Sequence, residues 1–127
     1  VPAQYVETYS ARIAPFGLWH LPHNTADIES ALNWVCGGCT VEADGPANTL
    51  FEIYKHVDGD TTHCHFVNYD ASPARNMTLR MPTDWCASLQ AQWICPGSGT
   101  MNLTATVNSG HAVFRLPDIE RYGMLMC

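Results

Sequence analysis

Residues 101–116 constrain the fold of this chain more than any other stretch. Met101-Asn102-Leu103-Thr104-Ala105-Thr106-Val107 alternates apolar and polar side chains with a period of two. Asn108-Ser109-Gly110 follows, and then a second run, Ala112-Val113-Phe114-Arg115-Leu116. That period turns one face of a strand to a core and the other to water. Two such runs joined by an Asn/Ser/Gly turn read as a β-hairpin.

The β signal extends upstream to Thr61. His63–Tyr69, Asn76–Met81 and Leu89–Cys95 are further short runs set off by turn residues. The first half reads differently. Residues 4–13 are rich in aromatic and β-branched side chains and read as a strand, which Pro15 and Gly17 end. Asn24 or Thr25 caps a helix beginning near Ala26, with Asp27 and Glu29 in the first turn, where the helix dipole favours them. Ile28, Ala31, Leu32 and Val35 keep helical spacing, and Gly37-Gly38 stops the helix. A second helix is predicted from Ala47 to His56, with Leu50, Phe51, Ile53, Tyr54 and Val57 on its apolar side and Asp58-Gly59-Asp60 at its end. The expectation is an α+β fold. Two short helices in the N-terminal half pack on an antiparallel sheet formed mainly by the C-terminal half, in one domain over residues 1–127.

Six cysteines are an even number and a generous one for 127 residues: Cys36, Cys39, Cys64, Cys86, Cys95 and Cys127. In an oxidising compartment they read as up to three disulfides, so the fold is expected to be disulfide-stabilised. A bridge at Cys127 would pin the C-terminal residue. The chain starts at Val1 without an apolar leader, which reads as a secreted protein after removal of its signal peptide. Asn76-Met77-Thr78 and Asn102-Leu103-Thr104 are N-glycosylation acceptor tripeptides. The expected location is extracellular.

Composition excludes two classes of partner. Six Lys and Arg stand against twelve Asp and Glu, for a net charge of −6, and Lys55 is the single lysine. Tracking a phosphate backbone needs a basic face, so a nucleic acid is not expected as partner. No apolar run approaches the ~20 residues of a membrane span.

The chemistry-bearing residues are weighed next. Cys36-Gly37-Gly38-Cys39 follows the predicted helix, whereas redox CxxC motifs sit at a helix N-terminus, where the dipole lowers a thiol pKa. A structural zinc held by Cys36, Cys39, Cys64 and His63 is a minor alternative, because thiolates outside the cell tend to pair with one another. His63 and His65 lie two apart on a predicted strand and share one face; His20 and His23 precede the first helix. Such pairs can do acid–base work, yet partly exposed imidazoles are the simpler reading. No nucleophile signature and no phosphate loop is present, no cofactor is expected, and the acidic residues of the first half single out no pair. Trp34 and Trp93 are expected in the core. Trp19 and Trp85, in loop-like contexts, are candidates for an open stacking face.

Several segments occur in the order of a known family. They are Trp19-His20-Leu21-Pro22, Asp27–Cys36 (DIESALNWVC), Gly37-Gly38-Cys39-Thr40-Val41, Pro46-Ala47-Asn48-Thr49, Phe51-Glu52-Ile53-Tyr54 and His63-Cys64-His65-Phe66. Over residues 19–70 the chain resembles the X8 domain, the family-43 carbohydrate-binding module of plant and fungal wall proteins. His20 stands where that family has its first cysteine, a cysteine before the Pro-Asn-Thr segment is missing, the Cys36–Cys39 spacing is shorter, and nothing after Asp70 matches. The resemblance implies β-1,3-glucan binding, with Trp19, Tyr54 and neighbouring aromatics on the sugar face.

Three functions remain. The leading expectation is a small secreted, disulfide-stabilised interaction protein, effector- or toxin-like, that binds a partner protein. The second is a module that binds a cell-wall glycan. The third is a small secreted hydrolase. The candidate binding residues are Trp19, His20, His23, Tyr54 and Trp85. A protein-binding surface predicts a flat apolar patch or an open sheet edge.

Overall fold

A computed structural model describes residues 23–38, 41–46, 48–56, 61–86 and 88–127. The chain divides into two compact units, Val1–Cys39 and Thr40–Cys127.

In the first unit, α1 spans Thr25–Cys36. Asn24 is its N-cap through the backbone: the carbonyl of Asn24 accepts from the N–H groups of Asp27 and Ile28, each at 3.1 Å. Gly37 ends the helix in the left-handed conformation, φ 70°, and the N–H of Gly38 returns to the carbonyl of Asn33 at 2.8 Å. A side chain at that φ is disfavoured, so the glycine placed in the sequence as a stop acts as one. Trp34, expected in a core, is 85% exposed.

The second unit is built of two antiparallel sheets. Its strands are β1 (Glu42–Asp44), β2 (Thr49–Lys55), β3 (Thr62–Asn68), β4 (Thr78–Pro82), β5 (Gln90–Cys95), β6 (Gly99–Thr104), β7 (Thr106–Asn108), β8 (His111–Arg115) and β9 (Tyr122–Met126). A 3-10 turn, Thr83–Trp85, follows β4. One sheet has the order β1-β4-β8-β7 and the other β2-β3-β9-β5-β6. Both contribute to one core: Leu79, Met81, Ala112 and Phe114 from the first, and Cys64, Phe66, Ala91, Trp93 and Leu125 from the second.

The expected α+β fold is corrected on three points. Among the described residues there is one helix, not two, and the architecture is mostly β. The segment predicted as the second helix is strand β2. Phe51 and Ile53 pack against the core, while Leu50, Glu52 and Tyr54 alternate outward. That is a period of two, and Leu50, Phe51, Ile53 and Tyr54 are aromatic or branched residues that suit a pleated surface. Ala47, Val57 and Asp58-Gly59-Asp60 lie outside the described residues, as does the predicted strand at 4–13. The second correction is to the single sheet: the run 101–107 is cut at buried Ala105, with β6 in the five-stranded sheet and β7 in the four-stranded one.

The third correction concerns disulfides. Among the described residues no cysteine pair is at bonding distance, and Cys36, Cys64, Cys86, Cys95 and Cys127 carry free thiols. Cys64 and Cys86 fill the core as small apolar side chains. Cys127 is held by the β ladder instead: Thr62 N–H donates to its carbonyl at 2.6 Å, and its own N–H donates to the carbonyl of Thr62 at 3.0 Å. Cys39 lies outside the described residues.

The predicted hairpin is present as β7–β8, with Asn108 opposite His111. Ser109 (φ 49°) and Gly110 (φ 77°) form the turn, and two successive positive φ values are what a two-residue hairpin connection needs.

Candidate binding surface

Strand β3 shows how the sequence builds the site. Thr62, Cys64, Phe66 and Asn68 are buried, and His63, His65 and Val67 between them take the other face. The register carries that face across the sheet. Tyr54 lies opposite His63, then Met126, Gln92 and Asn102; Glu52 lies opposite His65, then Met124, Ile94 and Thr100; Leu50 lies opposite Val67 and then Tyr122. Glu52 is the only formally charged side chain in these three rows.

Ring contacts join the centre of this face. Tyr54 meets His65 edge-on, with centroids 5.7 Å apart and planes at 82°. Nδ1 of His65 lies 2.6 Å from the hydroxyl of Tyr122. The phenol donates when Nδ1 is bare and accepts when Nδ1 carries the proton. His56 and His63 rings lie 5.6 Å apart. The Tyr54 hydroxyl donates to Oε2 of Glu52 at 2.7 Å. That hydrogen bond, and then the charge of Glu52, hold the Tyr54 phenol above its ordinary pKa.

At one side the face ends on β2, an edge strand of the sheet. Leu50 is 51% exposed there and Tyr54 54%. An edge strand presents unpaired N–H and C=O groups to whatever approaches it.

The inner face fixes the shape of this surface. Phe51 stacks on Phe66 at 6.1 Å, and Phe66 meets Trp93 at 5.7 Å. The Trp93 indole lies over Gly123, where a Cβ would fall inside the ring. Trp93 is thus in the core, as expected from the sequence. Asn68, 3% exposed, ties the sheet to its loops. Its Nδ2 donates to the carbonyls of Ser72, Ile119 and Glu120 at 2.8, 3.0 and 3.1 Å, and its Oδ1 accepts from the N–H of Asp70 at 2.9 Å.

The residues expected to form the site fare unequally. Trp19 and His20 lie outside the described residues. His23 is exposed just before α1. Tyr54 belongs to the surface just described. Trp85 does not: it packs against the core, and Nζ of Lys55 sits 5.5 Å from its ring centroid, so a cation occupies the ring. Tyr122, Met124 and Met126 were missed. The sequence Tyr122-Gly123-Met124-Leu125-Met126 has a glycine at its second position and no β-branched residue, although its alternation of Tyr, Met and Met was there to be read.

Of the alternative metal set, Cys39 lies outside the described residues. Among the described residues no group of three or more His, Cys, Asp or Glu could hold an ion. His63 and Cys64 are neighbours on one strand and point to opposite faces. Cys64, Cys86 and Cys127 do approach one another in the core, but burial pushes the Cys64 thiol up to about 12, with Cys86 adding to it, and burial raises Cys127 as well. The Cys64 and Cys127 thiols stay protonated and unreactive at neutral pH. Among the described residues no helix is long and apolar enough to cross a membrane.

Comparison with protein-family models and with curated proteins finds no match to the chain.

Proposed function

We propose that this chain is a secreted interaction protein, effector- or toxin-like, that binds a partner protein through the outer face of its five-stranded sheet and the β2 edge. The observation that carries the reading is the grouping of Tyr54, His63, His65, Tyr122, Met124 and Met126 on one face with a single carboxylate among them. Aromatic residues and Met are enriched, and charges depleted, at the centres of protein interfaces. The β2 edge adds backbone groups that an extended segment of a partner can pair with.

The glycan reading draws support from the open ring of Tyr54, which is shaped to stack on the apolar face of a sugar. It is the weaker of the two: of the candidate aromatics among the described residues, Tyr54 and Trp85, the ring of Trp85 is taken by Lys55.

The test pairs a polysaccharide panel (β-1,3-glucan, chitin, cellulose) with affinity capture from the extracellular fluid of the producing organism. Wild-type protein is compared with Tyr54→Ala and Tyr122→Ala. A discrete protein captured by wild type and lost from both variants is the expected result. Retention on glucan that disappears in Tyr54→Ala overturns the reading in favour of the sugar.

A further inference from the structure

The two acceptor tripeptides sit in different structural settings. Asn76 lies in the turn before β4, exposed, in the left-handed conformation at φ 57°. Met77, next to it, is buried, and Thr78 opens the strand. Asn102 lies in the middle of β6, paired with Gln92, in the same row as Met126, His63 and Tyr54.

Order of synthesis separates them further. The segment around Asn76 has one partner made before it, β1, which pairs with β4, and is otherwise tied down by partners made much later: β4 also pairs with β8, and Ala74 bridges to Ile119. At about 5–20 residues per second, the chain around Asn76 stays without those later partners for seconds. β6 has its partner β5 immediately before it, across the short turn at Pro96–Ser98. A hairpin of this kind closes in about 1–10 μs.

We propose that Asn76 is an N-glycosylation site of this protein and that Asn102 is not. The donor class is an oligosaccharide carried on a polyprenyl pyrophosphate. Nδ2 of Asn76 bonds to C1 of the first N-acetylglucosamine, the bond from C1 to the pyrophosphate oxygen breaks, the amide loses one proton, and the lipid pyrophosphate leaves with the electron pair. No oxidant or reductant takes part. A sugar on Asn76 stands on an exposed turn of the four-stranded-sheet side of the chain, in no row of the outer face described above. A sugar on Asn102 would stand in the row of Tyr54. The assignment does not depend on the partner-binding reading.

The test expresses the chain behind a signal peptide in a eukaryotic secretory host and releases glycans enzymatically in heavy-oxygen water. Each occupied asparagine becomes an aspartate with one heavy oxygen. Peptide mass spectrometry is expected to find the label at 76 and an unmodified asparagine at 102. On gels, Asn76→Gln is expected to remove the slower glycoform and Asn102→Gln to leave it. Secreted, folded protein without label at 76, or with label at 102, overturns the proposal. The labelling is read on the wild-type chain, so a variant that folds poorly does not affect it.

Discussion

The hydroxyl of Tyr122 lies 2.6 Å from Nδ1 of His65, across the β3–β9 pair. Met124 stands directly opposite His65 and Tyr122 diagonally from it, and Tyr54 meets the same imidazole edge-on. One imidazole is therefore held by a phenol from each neighbouring strand, and the centre of the outer face is ordered before any partner arrives. Preorganised side chains lose less freedom on binding.

Tyr122→Phe removes that hydrogen bond and keeps the ring. The expected cost to folding is small, about 1 kcal/mol or less, since the bond is near the surface. The check is urea unfolding beside an NMR spectrum of the His65 ring, whose chemical shifts should move while the rest of the sheet keeps its shifts.

Gly123→Ala places a methyl group inside the Trp93 indole. The ring must leave its position, and Phe66 packs on that ring. Overpacking on this scale is expected to cost about 3 kcal/mol. In a Trp93→Leu background the same substitution should cost much less, because the obstructing ring is gone. Equal losses in both backgrounds would show that the glycine matters for another reason.

Nδ2 of Asn68 donates to three carbonyls, of which that of Ile119 also accepts from the N–H of Ala74. Asn68→Leu leaves those carbonyls without the Nδ2 donor, at about 2–4 kcal/mol. Asn68→Asp is worse at neutral pH, because a carboxylate would face three carbonyl oxygens. The folded state raises that carboxyl's pKa above its unfolded value, so its stability is present at low pH and lost as pH rises. Unfolding at pH 4 and pH 7 is expected to show Asn68→Asp closer to wild type at the lower pH.

The Cys64 thiol, pushed up to about 12 from 9.0, gives alkaline pH a defined effect. Below pH 9 the thiol is neutral in both states and costs nothing. Between about 9 and 12 the unfolded chain ionises and the buried thiol does not, so stability falls by up to about 1.4 kcal/mol per pH unit. Cys64→Ala is expected to be less stable overall and to show a shallower fall over that window. An unchanged slope would exclude Cys64 as its source.

How far the sequence disclosed this structure follows from particular residues. The turn at Ser109-Gly110 and the stop at Gly37 were legible because each needs a positive φ, which leaves a local mark. Strand β2 was misread because Leu50, Phe51, Ile53 and Tyr54 satisfy helical spacing as a cluster, and only the partition into inward Phe51 and Ile53 and outward Leu50 and Tyr54 decides the period. The break at Ala105 was invisible, since the alternation runs through it and the change of sheet is a tertiary event. The cysteine count pointed to bridges, whereas Cys64 and Cys86 serve the core as apolar groups. Of the site, Tyr54 and the shared face of His63 and His65 could be named from the sequence. Tyr122 joins them only through the pairing of β3 with a strand more than fifty residues away.

The central claim is that the outer face, and not the rest of the sandwich, meets a partner protein. Site-directed photo-crosslinking tests it most directly. A benzophenone side chain replaces Tyr54 in one version of the protein and Thr106 of β7, in the other sheet, in a second. Each is irradiated in the extracellular fluid of the producing organism. A discrete protein adduct from position 54 and none from position 106 is the predicted result. Adducts from position 106 alone, or the same adducts from both positions, would contradict the account.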